Sequence, residues 1–548
     1  MESLMKWYGV LIGGCISFLS AEISGQALEM PQVFTSGMVL QSEMHVPVWG
    51  WAKAGEDVSL SFAGQSLKVT AGVDGLWSVK LAPMEVSGQG RSMTVKTQGE
   101  SKTFDDVLVG EVWLCSGQSN MSLRLPKSND GGKEVANAND KELRFFSVPD
   151  FIPNPCDTPR AKSLPGTGVY SWKKMGPETA ADISAIGYFF AKEIRRHTQR
   201  PVGIVLAARG GSCAEAWVRR EALLTDPVFA AYVAKRDDWK AKYPEALERQ
   251  KKLAGLISKW ENECKDAKAN GQPEPSRPKT VPEDGNILSL HYWASAGYNT
   301  HVAPIKPYAV RGVLWYQGET NGDRHAGCSG GYDYQRLLPL LINDWRGLWG
   351  QERMPFYIVQ LANFCAPTND PNNQSVWAWA EVREAQSMAS EKVADCALAV
   401  TLDIGDRTNI HPGNKQEVGR RLALIARSKV YGENDVVCSG PRYRALKVDG
   451  NAVRVEFDSD NGGLVAKDGK LTGFAIAGAD RKFVWAEAKI AGHTVVVSSP
   501  SIAAPVAVRY AWQVGAEACL FNGAGLPASP FRSDDWPGIS WPKTGNAK

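Results

Sequence analysis

Two patterns of apolar residues alternate along the chain. From Leu28 to about Asp105, apolar and polar residues alternate in short runs: Val46–Trp51, Val58–Phe62, Leu67–Thr70, Trp77–Leu81 and Met93–Lys96. Gly and Asp-Gly separate them. Period-two runs broken by turn residues predict half-buried antiparallel strands, hence a small β-domain over 28–105. From 106 the runs become continuously apolar, as in Val202–Ala208, Val310–Tyr316, Phe356–Leu361 and Leu398–Leu402. Stretches of helical period lie between them, at Ile183–His197, Tyr334–Trp345 and Val382–Ala389. Strands apolar on both sides and separated by helices predict a parallel sheet covered on both faces. This α/β region runs over 106–435. Within it, 227–284 stands apart. Pro227 to about Ala269 is charged with a helical period, the helix being read at Asp237–Lys265, and Gly271–Lys279 is Pro-rich. That predicts a helical insertion serving as a solvated arm, a lid or a dimer contact. Alternation returns at Val453–Phe457, Leu471–Ile476, Thr494–Ser498 and Ala507–Trp512, so 436–548 is expected to be a second β-region packed on the core.

Ligands of an open parallel sheet gather at the carboxyl ends of its strands. The polar residues that end the strands are therefore the candidates. The apolar run Gly110–Cys115 breaks at Ser116-Gly117, and Ser119 follows on a strand-to-helix turn. A hydroxyl there stands at the sheet edge, and the helix N-terminus behind it offers N–H groups to an oxyanion. The competing reading of these residues is an ordinary polar turn. After the Val202 run come Gly210 and Gly211, whose N–H groups meet an oxyanion with no side chain in the way. After the Val310 run comes Gln317, a side-chain donor for the same oxyanion. Glu319, two residues on, would orient a neighbour or contact substrate.

A nucleophilic serine needs a base, and imidazole is tuned near neutral pH. Of seven histidines, His45 and His493 fall in the terminal β-regions and His197 ends a helix. His291, His301 and His325 lie in the α/β region, but only His411 follows an acid-rich strand end. It sits just before a helix that starts near Pro412 or Asn414. Asp406 is the expected orienting acid, with Asp403 second. Asn409 would hold an imidazole tautomer without bringing charge. A plain turn role competes for Asp406.

Composition narrows the rest. At 548 residues the chain exceeds a single core. A formal net charge of +3 gives no sign of a nucleic-acid or anionic-membrane partner. Lys6, the apolar but short Trp7–Leu19 and the small residues beyond predict a signal peptide over 1–27. The expected location is periplasmic or extracellular, and no later stretch is apolar enough to span a membrane. The ten cysteines are scattered with no Cys-x-x-Cys pair, so no metal site and no cofactor are expected.

The four strand-end segments together resemble the sialate O-acetylesterase family of SGNH-type serine hydrolases. The matching residues are Gly117–Met121, Gly210–Ser212 with Glu215–Trp217, Gly312–Asn321, and Ile410–Pro412 with Asn414–Gln416. Tyr298-Asn299 before Ala303-Pro304, and Gly525–Arg532, look like the same family. The resemblance implies an SGNH-hydrolase-like three-layer parallel sheet flanked by β-sandwich-like regions. It also implies a metal-free serine esterase that removes O-acetyl groups from sugars, O-acetylated sialic acids first among them. Ser119 then looks like the nucleophile, His411 the base, and Ser119, Gly211 and Gln317 the oxyanion donors. Two positions depart from the pattern. Thr408 stands where an Asp three residues before the histidine is common, and Asn409 where an Asp is frequent. The acid is therefore Asp406, or Ser119 and His411 act as a dyad. Thr300-His301 replaces small apolar residues, so His301 is a substrate contact or a surface or packing residue; Asn299 is a second substrate or orienting candidate. Three rivals stand beside this reading: an acetylesterase on xylan, pectin or another glycan, a non-catalytic sugar-binding protein, and a lipase or thioesterase.

Overall fold

A computed structural model describes residues 27–542, apart from 155, 166, 169, 374–376 and 460, with the backbone alone at 326. The signal peptide expected over 1–27 lies outside these residues but for Ala27.

Six strands pair in parallel: β1 (Ser101–Gly117), β2 (Asp140–Ser147), β3 (Val202–Ala208), β4 (Gly312–Tyr316), β5 (Phe356–Val359) and β6 (Cys396–Ala399). Their order across the sheet is β6-β5-β4-β1-β3-β2. Lys173–Met175 adds an antiparallel edge beside β2. β1 lies between β3 and β4, and from it the chain builds outward on both sides. That is a topological switch point, where the strand ends leave a crevice. Gly117 is level with Ala208 on one side and Tyr316 on the other, so the three ends emerge together.

Five longer helices accompany the sheet: α1 (Ala185–Thr198), α2 (Pro227–Ala269), α3 (Gly331–Trp349), α4 (Trp379–Lys392) and α5 (Lys415–Lys429). α1 starts where Ser184 accepts Gly187 N–H at 3.2 Å, and its last turn carries Arg195, Arg196 and His197. Phe190 of α1 meets Trp113 of β1 edge-on at 5.0 Å, and Gly419 of α5 lies against Phe189 and Phe190. Trp315 of β4 meets Trp345 of α3 at 5.9 Å. Trp113 is level with Gly312, so Trp315, three residues on, points to the opposite face. Helices thus cover both faces, and the core is continuous through the sheet.

Further β-sheets stand before and after the parallel strands in the chain. β1 is a single 17-residue strand that runs through the 105/106 boundary. Its first half pairs antiparallel with Ser87–Lys96, in the same set as Asp57–Phe62 and Gln65–Thr70, and its second half enters the parallel sheet. Towards the C-terminus two antiparallel sheets share one core. Val453, Val455, Val495 and Val497 of one pack with Phe474, Ile476, Val508 and Tyr510 of the other. β6 ends at Ala399 rather than Leu402, because Val400 and Leu402 turn into that second core. α2 fills the whole stretch of helical period, Pro227–Ala269, and so extends past the helix read at Asp237–Lys265. Asp226 caps it by accepting Val228 N–H at 2.9 Å, with Pro227 in the first turn. Among the described residues no helix is long and apolar enough to cross a membrane.

Candidate active site

The level ends of β4, β1 and β3 bring the expected residues into one crevice. Gly117 closes β1 with φ +130°, and a side chain there would collide with the Tyr316 carbonyl. The chain then turns into the short helix Ser119–Ser122. Ser119 is half-buried, and its Oγ lies 2.8 Å from Nε2 of His411. Burial, helped by the nearby charge of Lys415, lowers the His411 pKa, so the neutral imidazole that can accept a proton is favoured.

Behind β3, a Cβ added at Gly210 would lie 3.6 Å from Ser119 Cβ, so this loop faces the serine. Gly211 takes φ +72°, which a side chain would strain. The two glycines differ in what they offer. Gly210 N–H donates to Asp150 Oδ1 at 3.1 Å, and Arg209 Nη1 donates to the same carboxylate at 3.4 Å. The Gly210 N–H is therefore spent holding the loop, contrary to its expected place in an oxyanion hole. The N–H groups of Gly211 and of Ser119, first in its helix, make no hydrogen bond within the described residues.

Gln317 is also corrected. It is fully buried, and its Nε2 donates to Asn321 Oδ1 (2.8 Å), Ser212 O (3.1 Å) and Gln118 Oε1 (3.2 Å). Its Oε1 accepts from Tyr334 Oη at 2.8 Å. An amide so fully engaged ties the three strand ends together and has no donor left for an oxyanion.

Neither expected acid reaches the imidazole. One oxygen of Asp406 accepts from Thr408 N (2.8 Å), Thr408 Oγ1 (2.8 Å) and Asn409 N (3.0 Å), the bonding of a turn residue. Those bonds hold its carboxyl below the usual range. Asp403 is paired with Arg421, both oxygens at 2.6 Å. Among the described residues no carboxylate oxygen pairs with a His411 ring nitrogen within 4.0 Å. Asn409 acts one step back, where its Oδ1 accepts His411 N–H at 2.9 Å and so fixes the backbone.

The remaining candidates divide. Glu319 is buried beside the serine helix, where its Oε1 accepts from Asn120 Nδ2 at 2.6 Å. Asn299 is buried and donates from Nδ2 to Cys156 O at 2.9 Å. His301 is neither a surface group nor placed against Ser119. It is fully buried, edge-on to Trp217 at 5.6 Å, with Nδ1 2.8 Å from Thr300 Oγ1. Burial pushes its pKa down to about 4.

Sequence reasoning passed over His291. A Cβ added at Gly211 would lie 3.4 Å from its Nε2, so this imidazole borders the oxyanion loop. Burial pushes it down to about 4 as well, with the charge of Arg209 adding to the effect. No local pattern marks it, because the chain delivers it there only after the α2 insertion. One cluster of metal-ligating side chains occurs among the described residues: Cys213, Glu215 and Cys328, with their ligand atoms within 4.8 Å of one another. The Glu215 carboxylate is already bonded by Ser329 N (2.8 Å) and Asn321 Nδ2 (3.0 Å), and Tyr232 Oη reaches Cys213 Sγ at 3.1 Å.

Comparison with known proteins places this arrangement. Residues 289–427 match the family model described as carbohydrate esterase, sialic acid-specific acetylesterase. A crystal structure of a carbohydrate acetylesterase from Xanthomonas citri is 35% identical, with a TM-score of 0.75, over 93% of this chain and all of that one. Sialate O-acetylesterase of Mus musculus is 27% identical over 94% of this chain and 97% of the mouse protein, and that of Homo sapiens 26% identical over 93% of each. The α/β fold and its crevice are therefore those of an esterase of the carbohydrate-acting class. Within that class, the chain belongs to the sialate O-acetylesterase family.

Proposed function

We propose that the protein is a serine esterase that removes O-acetyl groups from sugars through an acyl-enzyme, with Ser119 as nucleophile and His411 as base. The observation that carries this is the 2.8 Å contact between Ser119 Oγ and His411 Nε2, beside the unbonded Gly211 N–H at a topological switch point. His411 takes the serine proton as Oγ attacks the acetyl carbonyl. The oxyanion is met by the N–H groups of Ser119 and Gly211. His411 returns the proton to the departing sugar alcohol, then activates the water that frees acetate. The pair works as a dyad, without a carboxylate on the imidazole. The level strand ends and the glycine-rich donor loop support an SGNH-type arrangement of the core. A C-terminal β-region over 436–548, and export after loss of a signal peptide, belong to the same reading, while the expected 28–105 and 106–435 regions share β1.

O-acetylated sialic acid is the first substrate, on the names of the mammalian relatives. Another acetylated glycan, such as xylan or pectin, is the second, because the Xanthomonas citri protein, with the higher identity, is named only as a carbohydrate acetylesterase. The test is acetate release from O-acetylated sialic acid and from acetylated xylan, with Ser119→Ala alongside. The variant should lose roughly 10³-fold or more while staying folded. Full activity in Ser119→Ala would remove the assignment. Binding of sugar with no serine-dependent acetate release would replace it with a lectin-like function.

A further inference from the structure

His411 lacks an acid on its ring, yet it is held at hydrogen-bonding distance from Ser119. What lies behind the pair is a buried polar cluster that the mechanism above leaves without a task. Asn120, next to the nucleophile, donates from Nδ2 to Ile410 O at 3.0 Å, the carbonyl just before His411. The same Nδ2 donates to Glu319 Oε1 at 2.6 Å, and Asn120 Oδ1 accepts from Lys415 Nζ at 2.6 Å. Lys415 is fully buried and lies 5.3 Å over the Tyr316 ring. Glu319 is 3% exposed, and its Oε2 has no hydrogen-bond partner.

These groups are costly where they stand. Lys415 is the first residue of α5, where the helix dipole opposes a cation, and burial opposes it again. Glu319 leaves one buried carboxylate oxygen unbonded. A packing role would be met more cheaply by apolar side chains of similar volume. What an apolar set could not do is join three chain segments at once. Asn120 follows the nucleophile, Glu319 follows β4, and Ile410 and Lys415 bracket His411.

We propose that Asn120, Glu319 and Lys415 form a positioning cluster that locks His411 against Ser119 through the backbone, in place of a carboxylate on the imidazole. This rests on the serine esterase reading of the site. The charged and titratable groups facing the cluster are Tyr316, Glu319 and Asp323 from the β4 side, and Lys415 and His411 from the α5 side. Burial brings the Lys415 ammonium down to about 7, with Glu319 opposing the shift, and raises Glu319. Lys415 in its charged form disfavours imidazolium at His411.

Two substitutions test the cluster, read by acetate release against pH, with Ser119→Ala as control. Lys415→Met keeps the stem and removes the cation. The acid limb of its kcat/KM profile should move to higher pH, because imidazolium is no longer opposed. Asn120→Asp is isosteric but turns the donor towards Ile410 O into an acceptor. Its kcat should fall by about tenfold or more with KM within about twofold, as expected when a base is misplaced and substrate binding is not. In the unaltered protein, the His411 ring followed by NMR should titrate below 6.5. Parental kcat and acid limb in both variants, or a His411 midpoint at or above 6.5, would overturn the proposal. Activity surviving in Ser119→Ala would instead refute the reading beneath it.

Discussion

The sharpest test of the dyad is Asp406. In a three-membered arrangement the acid bonds the second imidazole nitrogen, and replacing it by its amide costs roughly 10⁴-fold in kcat. Here Asp406 serves three donors through one oxygen: Thr408 N, Thr408 Oγ1 and Asn409 N. Asparagine presents the same oxygen in the same place. Asp406→Asn should therefore keep the turn, the Asn409 contact to His411 N–H and the Ser119 geometry. Its kcat/KM is expected within about threefold of the parent. Asp406→Ala removes the acceptor. The freed donors stand in a loop that water reaches, so water replaces the carboxylate and the loss stays near about tenfold. The assay is initial-rate acetate release at pH 8, where His411 is neutral, with melting temperature as a control for folding. A loss of roughly 10³-fold or more in Asp406→Asn, with an unchanged melting temperature, would refute the argument and make Asp406 the acid after all.

Two further outcomes follow from buried groups. Gln317→Leu leaves the Ser212 carbonyl and parts of Gln118, Asn321 and Tyr334 without their shared partner, so stability should fall by about 2–4 kcal/mol in denaturant unfolding; a change under about 0.5 kcal/mol would contradict its place as a tie. His301 has a folded pKa near 4 against an ordinary 6.5. The unfolded chain therefore binds the proton first as pH falls. Stability from this residue is full above 6.5 and declines towards pH 4, by about 3 kcal/mol in total. His301→Phe should flatten that part of the pH–stability curve, and an unchanged slope would show that the ring titrates normally.

Much of the fold was legible because burial writes itself into period. Val202–Ala208 and Thr494–Ser498 appear at the expected bounds, since every residue or every second residue must face a core. The Leu398–Leu402 run misled for the same reason: Val400 and Leu402 are buried, but by another part of the chain. At the site, Ser119 and His411 could be read from turn chemistry and from the shortage of histidines. What each neighbouring polar group was bonded to could not. Gln317 and Gly210 are the right residue types in the right place, yet acceptors far away in sequence, Ser212 O and Asp150 Oδ1, had already claimed their N–H groups. Lys415 stood out in the sequence only as part of the Asn414–Gln416 resemblance, with no role of its own. Only the packed structure shows it sealed beneath Tyr316 and joined to Asn120.

β1 gives the protein an unusual inheritance. Because one stretch of backbone belongs to two sheets, the leading β-region is a splint bound into the catalytic frame and not a detachable passenger. Val39–Gln41 pairs with it in parallel, and Glu111, fully buried midway along it, is gripped by Arg200 and Arg311 at 2.8 Å each. The outer sheet and the peptide that leads to the serine therefore share one continuous strand of backbone. Shuffling of modules, by evolution or by design, therefore has no seam at residue 105. The two parts travel as one heritable piece, and the place where this chain tolerates cutting lies elsewhere.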